Sequence, residues 1–235
     1  MAISAGPSVV EDGLVFCLDA ANKLSYAGAG NTWIDLAGSN NGTLTNGPTF
    51  SEENGGSVAF DGVDDYVGTD FDLDFTTADF TLEAWAYPVF DSSQYGRPII
   101  TMNSTGGCSV YDFALEFGRS ANKFKLIAQG GTGGSLSLSS TNTYDKNTWF
   151  HILTTRKQNS ANDWTYIMYV NGVQDGTVTG DYNGGSGGKL TIGKFLNCNA
   201  VAEWYGRISN IKVYNRALSA KEIKQNYKAL RGRFN

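Results

Sequence analysis

The chain has 235 residues, enough for one large domain or two small ones. Gly, Ser, Thr and Asn make up 88 of the 235, and charged residues are 17 % against a typical ~25 %. Those four types lose to Ala, Leu, Glu and Lys in helix interiors, which excludes a helical bundle. The 41 % hydrophobic and 13 % aromatic content excludes disorder. A net charge of −5 excludes a general polyanion binder, so no nucleic acid is expected as a partner. The single histidine, His151, excludes a His-cluster metal site.

Short apolar or alternating runs separated by Gly, Asn and Asp predict strands at 13–19, 57–60, 66–67, 80–88, 98–102, 109–117, 123–128, 149–156, 164–170, 173–178, 189–193 and 203–214. In 80–87, Phe80, Leu82, Ala84 and Ala86 alternate with Thr81, Glu83, Trp85 and Tyr87. Large apolar groups on both faces predict a central strand covered on both sides. Asn171-Gly172 between Tyr169-Val170 and Val173 predicts a type I′ hairpin, whose two central residues need positive φ. Ser219-Ala220-Lys221-Glu222 is a capping box, and Ile223, Tyr227 and Leu230 follow at helical spacing, so a helix is expected over 219–231. The domain reading is a short N-terminal arm over 1–12 and one domain over 13–235.

Cys17, Cys108 and Cys198 form neither a CxxC motif nor an even set, so neither a zinc site nor a disulfide framework is indicated. Cys17, in Leu14-Val15-Phe16-Cys17-Leu18, reads as a small buried hydrophobe. The first seven residues carry no basic region and no long apolar run, so no signal peptide is expected. No stretch approaches ~18 apolar residues, so no membrane partner is expected.

Charge is unevenly placed. Between Leu24 and Gly96 there are twelve acids and no Lys or Arg, whereas the end of the chain carries Lys221, Lys224, Lys228, Arg231 and Arg233 against Glu222 alone. The terminal bases are candidates for docking on an acidic partner (Lys221, Lys224, Lys228, Arg231), and solvated faces are the plainer reading of both blocks. Asp61-Gly62-Val63-Asp64-Asp65 gathers hard oxygen ligands, so a structural Ca²⁺ on Asp61, Asp64 and Asp65 is one reading and backbone-bonded Asx turns the other. Asp70-Phe71-Asp72-Leu73-Asp74 departs from an EF-hand loop at Phe75 and Thr81, and reads as an extended segment with its aspartates outward. Trp204-Tyr205, near Asn197 and Asn199, is a candidate platform for a sugar ring, or else an aromatic pair covering a sheet. Nucleophilic catalysis has only His151 to use and no nucleophile elbow beside it. Asp112 and Glu116 are the one carboxylate pair with spacing for glycoside hydrolysis, and a solvated strand face is the alternative.

The order of segments carries more than any one of them. Trp33-Ile34-Asp35-Leu36-Ala37-Gly38 and Asn41-Gly42-Thr43-Leu44 precede Val58-Ala59-Phe60-Asp61-Gly62-Val63-Asp64-Asp65-Tyr66-Val67. Then come Phe80-Thr81-Leu82-Glu83-Ala84-Trp85, Trp149-Phe150-His151, Tyr169-Val170-Asn171-Gly172, Leu190-Thr191-Ile192-Gly193 and Ile211-Lys212-Val213-Tyr214-Asn215-Arg216-Ala217-Leu218-Ser219. This series resembles the concanavalin A-like lectin/glucanase superfamily, in its laminin-G-like branch. The resemblance implies an all-β, two-sheet antiparallel jelly-roll sandwich with a short C-terminal helix. It implies no catalysis, because the Glu-x-Asp-x-Glu strand of the family's glucanases has no counterpart. Where many relatives place an aspartate for a structural Ca²⁺, this chain has Ile208-Ser209-Asn210-Ile211. The opening, Asp12-Gly13-Leu14-Val15-Phe16-Cys17-Leu18-Asp19-Ala20-Ala21-Asn22, and the ending, Asn226-Tyr227-Lys228-Ala229-Leu230-Arg231-Gly232-Arg233-Phe234, are similar to laminin-G-like domains of tailed-bacteriophage structural proteins. The expectation is a non-enzymatic virion structural protein made in the host cytoplasm. A capsid decoration or head-fibre protein comes first and a tail component second. Capsid or other virion proteins, sister copies in a homo-oligomer and a surface glycan are its expected partners. A carbohydrate-binding module of a cellular protein and a glycoside hydrolase are the alternatives.

Overall fold

The computed structural model describes residues 7–73, 78–90, 96–103, 113–118, 121–131, 134–182, 188–196 and 203–234. The first strands are β1 (Leu14–Asp19), β2 (Thr32–Trp33), β3 (Gly42–Thr45), β4 (Thr49–Ser51), β5 (Ser57–Asp61), β6 (Tyr66–Asp72), β7 (Phe80–Pro88) and β8 (Arg97–Asn103). They are followed by β9 (Phe113–Phe117), β10 (Phe124–Gly131), β11 (Gly134–Ser139), β12 (Phe150–Ser160), β13 (Asp163–Val170), β14 (Val173–Gly180), β15 (Lys189–Ile192) and β16 (Tyr205–Tyr214). The helix α1 (Ala220–Leu230) and a 3₁₀ turn (Arg231–Arg233) close the described chain.

One sheet runs β14-β13-β12-β7-β16-β5-β4, with β1 also on β16, and the second runs β11-β10-β9-β8-β15-β6-β3-β2. The pairings are antiparallel, and the two sheets form the jelly-roll sandwich expected from the sequence. Strand β16 organises the first sheet. Its first half, Tyr205–Ile208, pairs with β5, its second half, Asn210–Tyr214, pairs with β1, and β7 runs along its other edge.

Alternation explains the layering. On β7, Leu82, Ala84 and Ala86 join the core between the sheets with Phe16, Val58, Ile152 and Ile208. Glu83 and Trp85 face the opposite way, and they too are buried, at 0 % and 2 % exposure. This is the doubly covered central strand that the pattern predicts. Its outer face is roofed by α1, whose Ile223 packs with Val10, Leu153 and Tyr214 and whose Leu230 packs with Trp85 and Trp149. The capping box forms, with Ser219 and Glu222 exchanging hydrogen bonds at the helix start. Asn171 and Gly172 take φ of 52° and 75°, as a type I′ turn requires. Strands β2, β3, β4 and β11 are additions to the sequence reading. The Ser-rich β11 has low strand propensity and is held by Leu136 and Leu138, which are buried in the core.

Both ends of the described chain lie on this roofed face. Val10 N–H donates to Asn226 Oδ1 (2.8 Å), Tyr214 Oη donates to the Val10 carbonyl (3.1 Å), and Gln225 Nε2 donates to the Ser8 carbonyl (2.9 Å). At the other end, Phe234 stacks on Trp85 with centroids 4.1 Å apart, and both oxygens of Asp19 accept from Arg233 at 3.0 Å. Asn54 also holds the C-terminal end, accepting from Trp149 Nε1 (3.0 Å) and donating to the Arg233 carbonyl (3.1 Å).

Candidate functional site

The Trp204-Tyr205 pair, where the chain enters β16, divides between core and surface. Trp204 is fully buried, edge-on to Phe90 at 5.4 Å, and its backbone N–H donates to the Gly193 carbonyl (2.8 Å). It is a core side chain and offers no face to a sugar, which corrects the expectation of a paired platform. Tyr205, one residue on, is 45 % exposed. Asn197 and Asn199 lie outside the described residues.

Tyr205 sits against the turn between β5 and β6. Gly62 has φ of +76°, and a Cβ there would lie 2.7 Å from the Tyr205 Cβ, so both turn geometry and close approach require glycine. Val63 beside it is 67 % exposed. Arg97 Nη1 donates to the Glu203 carbonyl (2.5 Å), its guanidinium lies 4.8 Å from the Phe90 ring centroid, and Lys194 Nζ is 3.6 Å from Glu203 Oε1. An exposed phenol ring flanked by fixed polar groups suits stacking on an apolar ring face with hydrogen bonds at its edge.

The same turn brings Asp61, Asp64 and Asp65 together, with one carboxylate oxygen from each within 4.8 Å of the others. Asp61 Oδ1 accepts from Val63 N–H (2.8 Å), which is Asx-turn chemistry, and Asp65 Oδ2 accepts from Asp61 N–H (2.9 Å). Burial, together with the charges of Asp61 and Asp64, pushes the Asp65 carboxyl up. The remaining lone pairs of three close-set acids fit a hard divalent cation. On β6, Asp70 and Asp72 are exposed and Phe71 is buried, as the alternation predicts.

The four candidate docking bases lie on the outer side of α1. Lys221, Lys224, Lys228 and Arg231 are exposed, while Ile223, Asn226 and Leu230 are buried. Among the described residues none of the four bases is paired with an acid. Of the hydrolase pair, Asp112 lies outside the described residues. Glu116 is fully buried with its carboxylate pressed on the Gly96 backbone, so it faces no open cleft.

Sequence reasoning missed a charged cluster under the helix. Glu83, opposite Lys212 in the β7–β16 register, accepts from Lys212 Nζ at 3.0 Å through Oε1 and from Asn226 Nδ2 at 2.7 Å through Oε2. Lys212 Nζ also donates to Asn210 Oδ1 (2.9 Å), and His151 Nε2 lies 3.3 Å from Glu83 Oε1. Glu83, His151, Asn210 and Asn226 are 0 % exposed and Lys212 is 2 % exposed. Burial raises the Glu83 carboxyl, but Lys212, His151 and Asn226 together outweigh it and hold the group well below the usual carboxylate range. Cys17, beneath the same roof, is pushed up to about 11 by burial, the mark of an inert thiol. The only available signals were a lone acid and a lone lysine at alternate positions of two strands, and the register that pairs them is not local information.

Comparison with known proteins agrees with this architecture. The receptor-binding domain of botulinum neurotoxin type G superposes with a TM-score of 0.68 at 15 % identity, covering 92 % of this chain and 51 % of that one. The binding domain of Paraclostridial Mosquitocidal Protein 1 gives 0.67 at 16 % (92 % and 52 % covered), and Trypanosoma rangeli sialidase gives 0.64 at 15 % (95 % and 34 % covered). The chain thus spans about half or less of each of these structures, and at such identities the likeness is one of fold. No curated protein matches the sequence significantly. A family model described as the Concanavalin A-like lectin/glucanases superfamily (Laminin_G_3) matches residues 61–224, from the acidic turn beside Tyr205 into the helix, and the chain belongs to that superfamily.

Proposed function

We propose that this chain is a non-enzymatic recognition sandwich on the surface of a tailed-phage particle, a capsid decoration or head-fibre component with a glycan-binding end. The observation that carries the reading is the outer side of α1. Lys221, Lys224, Lys228 and Arg231 follow at i, i+3, i+7 and i+10, so each base neighbours the next. Like-charge neighbours at these spacings cost a helix about 0.2–0.5 kcal/mol each, and no acid of the described residues relieves them. An acidic partner surface does. Either a shell protein or the acidic body of a sister copy meets that need. The joint reversal Lys221→Glu, Lys224→Glu, Lys228→Glu is expected to abolish incorporation into particles while leaving the fold intact. Unchanged incorporation refutes the docking role.

The glycan reading rests on Tyr205, an exposed aromatic ring over a turn with fixed polar neighbours. The structures it superposes on include one named as a receptor-binding domain and one named as a binding domain, which supports the reading at the level of fold. On a glycan array, wild type is expected to give hits that Tyr205→Ala removes; an empty array refutes this part. We assign the turn acids Asp61, Asp64 and Asp65 a structural Ca²⁺. Added Ca²⁺ should raise the melting temperature, and Asp64→Asn should remove the rise; no rise in wild type refutes it. The same Tyr205 surface also favours a carbohydrate-binding module of a cellular protein, which array hits without particle incorporation would select.

A further inference from the structure

The charged cluster beneath α1 is exposed on neither surface, and it gathers the parts of a reaction. We propose that Lys212 and Asn210 become joined by a side-chain amide bond within the folded protein, with Glu83 carrying the protons. The nucleophile and the electrophile are already in contact, since Lys212 Nζ lies 2.9 Å from Asn210 Oδ1, one bond away from the carbonyl carbon it would attack. Glu83 Oε1, 3.0 Å from Nζ, is placed to take the proton that an ammonium must shed before it is nucleophilic. His151 Nε2 is 3.3 Å from the same oxygen, and neither ring nitrogen has another hydrogen-bond partner, so the imidazole can hold a proton in transit.

Two further features favour the step. Asn210 Nδ2 is buried and makes no hydrogen bond, so its departure breaks no contact and removes an unsatisfied donor. Lys212 and Asn210 are both buried, so the amine is held beside the amide and not drawn out into solvent. Fixing two reactants side by side is worth effective concentrations of about 10⁵ M or more in well-oriented cases. Lys212, in contact with the Asn210 amide, also lines a cavity of about 550 Å³ with Cys17, Leu36, Leu230 and Arg233, so the ammonia released would leave past the lysine.

The step balances without an added reagent. Glu83 accepts one proton from the Lys212 ammonium, and the free amine attacks the Asn210 Cγ to form the C–N bond. The tetrahedral intermediate carries its negative charge on Oδ1 and collapses by breaking the Cγ–Nδ2 bond. Of the three protons on Nζ, one stays in the new amide and two leave with Nδ2 as ammonium. Nothing is oxidised or reduced.

Intact-mass measurement of the purified full chain tests this directly. The expected mass is below that of the sequence by one ammonia, and the loss is expected to vanish in Lys212→Arg and in Glu83→Gln. Ammonia is also lost when an asparagine closes to a succinimide, so location decides. Trypsin should fail to cut after Lys212 and release residues 208–216 as one peptide lacking one ammonia. A full-mass protein overturns the proposal without any variant. Normal cleavage after Lys212 with the loss elsewhere, or a link from Lys212 to Asn226, overturns the assignment to Asn210. A folded Glu83→Gln chain that still loses the ammonia overturns the role of Glu83.

Discussion

Replacing Trp204 separates core from surface beside Tyr205. The indole is fully buried, edge-on to Phe90, and its Nε1 has no hydrogen-bond partner. Trp204→Ala therefore loses apolar contact and leaves a cavity but breaks no side-chain hydrogen bond. Such a truncation costs about 3–5 kcal/mol, and at about 2–4 °C per kcal/mol for a domain of this size the melting temperature should fall by about 6–20 °C. Trp204→Phe keeps most of the ring contact and removes an orphaned donor whose burial costs about 1–3 kcal/mol. Its net effect should stay below about 2 kcal/mol. Tyr205→Ala, at a 45 % exposed position, should lie within about 0.5 kcal/mol of wild type. Urea unfolding followed by circular dichroism reads all three. If Trp204→Ala is as stable as wild type, the indole is not part of the core. If Trp204→Phe is as damaging as Trp204→Ala, Nε1 has a partner and the cavity reasoning fails.

Asn226→Ala removes one acceptor and one donor group that serve Val10 N–H, Glu83 Oε2 and Tyr214 Oη, and should cost about 3 kcal/mol or more in urea unfolding. Asn226→Asp should be worse, because it sets a second carboxylate beside Glu83. Glu222, hydrogen-bonded by Arg216 and the Ser219 backbone, is held down to about 2 from an ordinary 4.5. A depressed acid stabilises above its unfolded pKa and loses that stabilisation as pH falls through the folded one. Glu222→Gln should therefore cost about 1 kcal/mol at neutral pH, after discounting for solvent screening. The difference from wild type should shrink between pH 4.5 and about 2; a pH-independent difference contradicts it. Phe234→Ala should lower stability by about 1–3 kcal/mol through lost stacking on Trp85 and Trp149, and should raise amide exchange in α1 first.

Legibility followed the range of the interactions. Features set within a few residues were readable: the type I′ turn at Asn171-Gly172, the capping box at Ser219 and Glu222, and the two buried faces of β7. The Trp204-Tyr205 pair was readable as aromatic but misassigned. Adjacent residues on a strand point to opposite faces, so a two-residue platform contradicts the alternation that located β16 in the first place. Strands β2 to β4 are two to four residues long and gain their pairing from other strands, β2 from β3, β3 from β6 and β4 from β5, which no local pattern encodes. The Glu83–Lys212–His151 cluster needed three strands brought into register from residues 83, 151 and 212. A histidine on a strand between apolar neighbours gave no hint that its nearest charge would be a glutamate on another strand.

The roofed face also ties down both ends of the described chain. A helix of 11 residues is marginal in isolation, so α1 persists because of what lies under it. Asn226 ties it to Glu83, Tyr214 and Val10, Ile223 and Leu230 bury on the sheet, and the Phe234–Arg233 tail fixes its far end. The basic outer ladder, internally repulsive, works against that docking and is tolerated only because the buried side is over-determined. The cost of burying charge beneath the helix and the cost of gathering charge above it therefore belong together. The polar cluster gives the helix one rotational setting, and that setting holds Lys221, Lys224, Lys228 and Arg231 in a line facing outward. A purely apolar stripe would hold the helix on the sheet as firmly but would allow it to roll, blurring that line of charge.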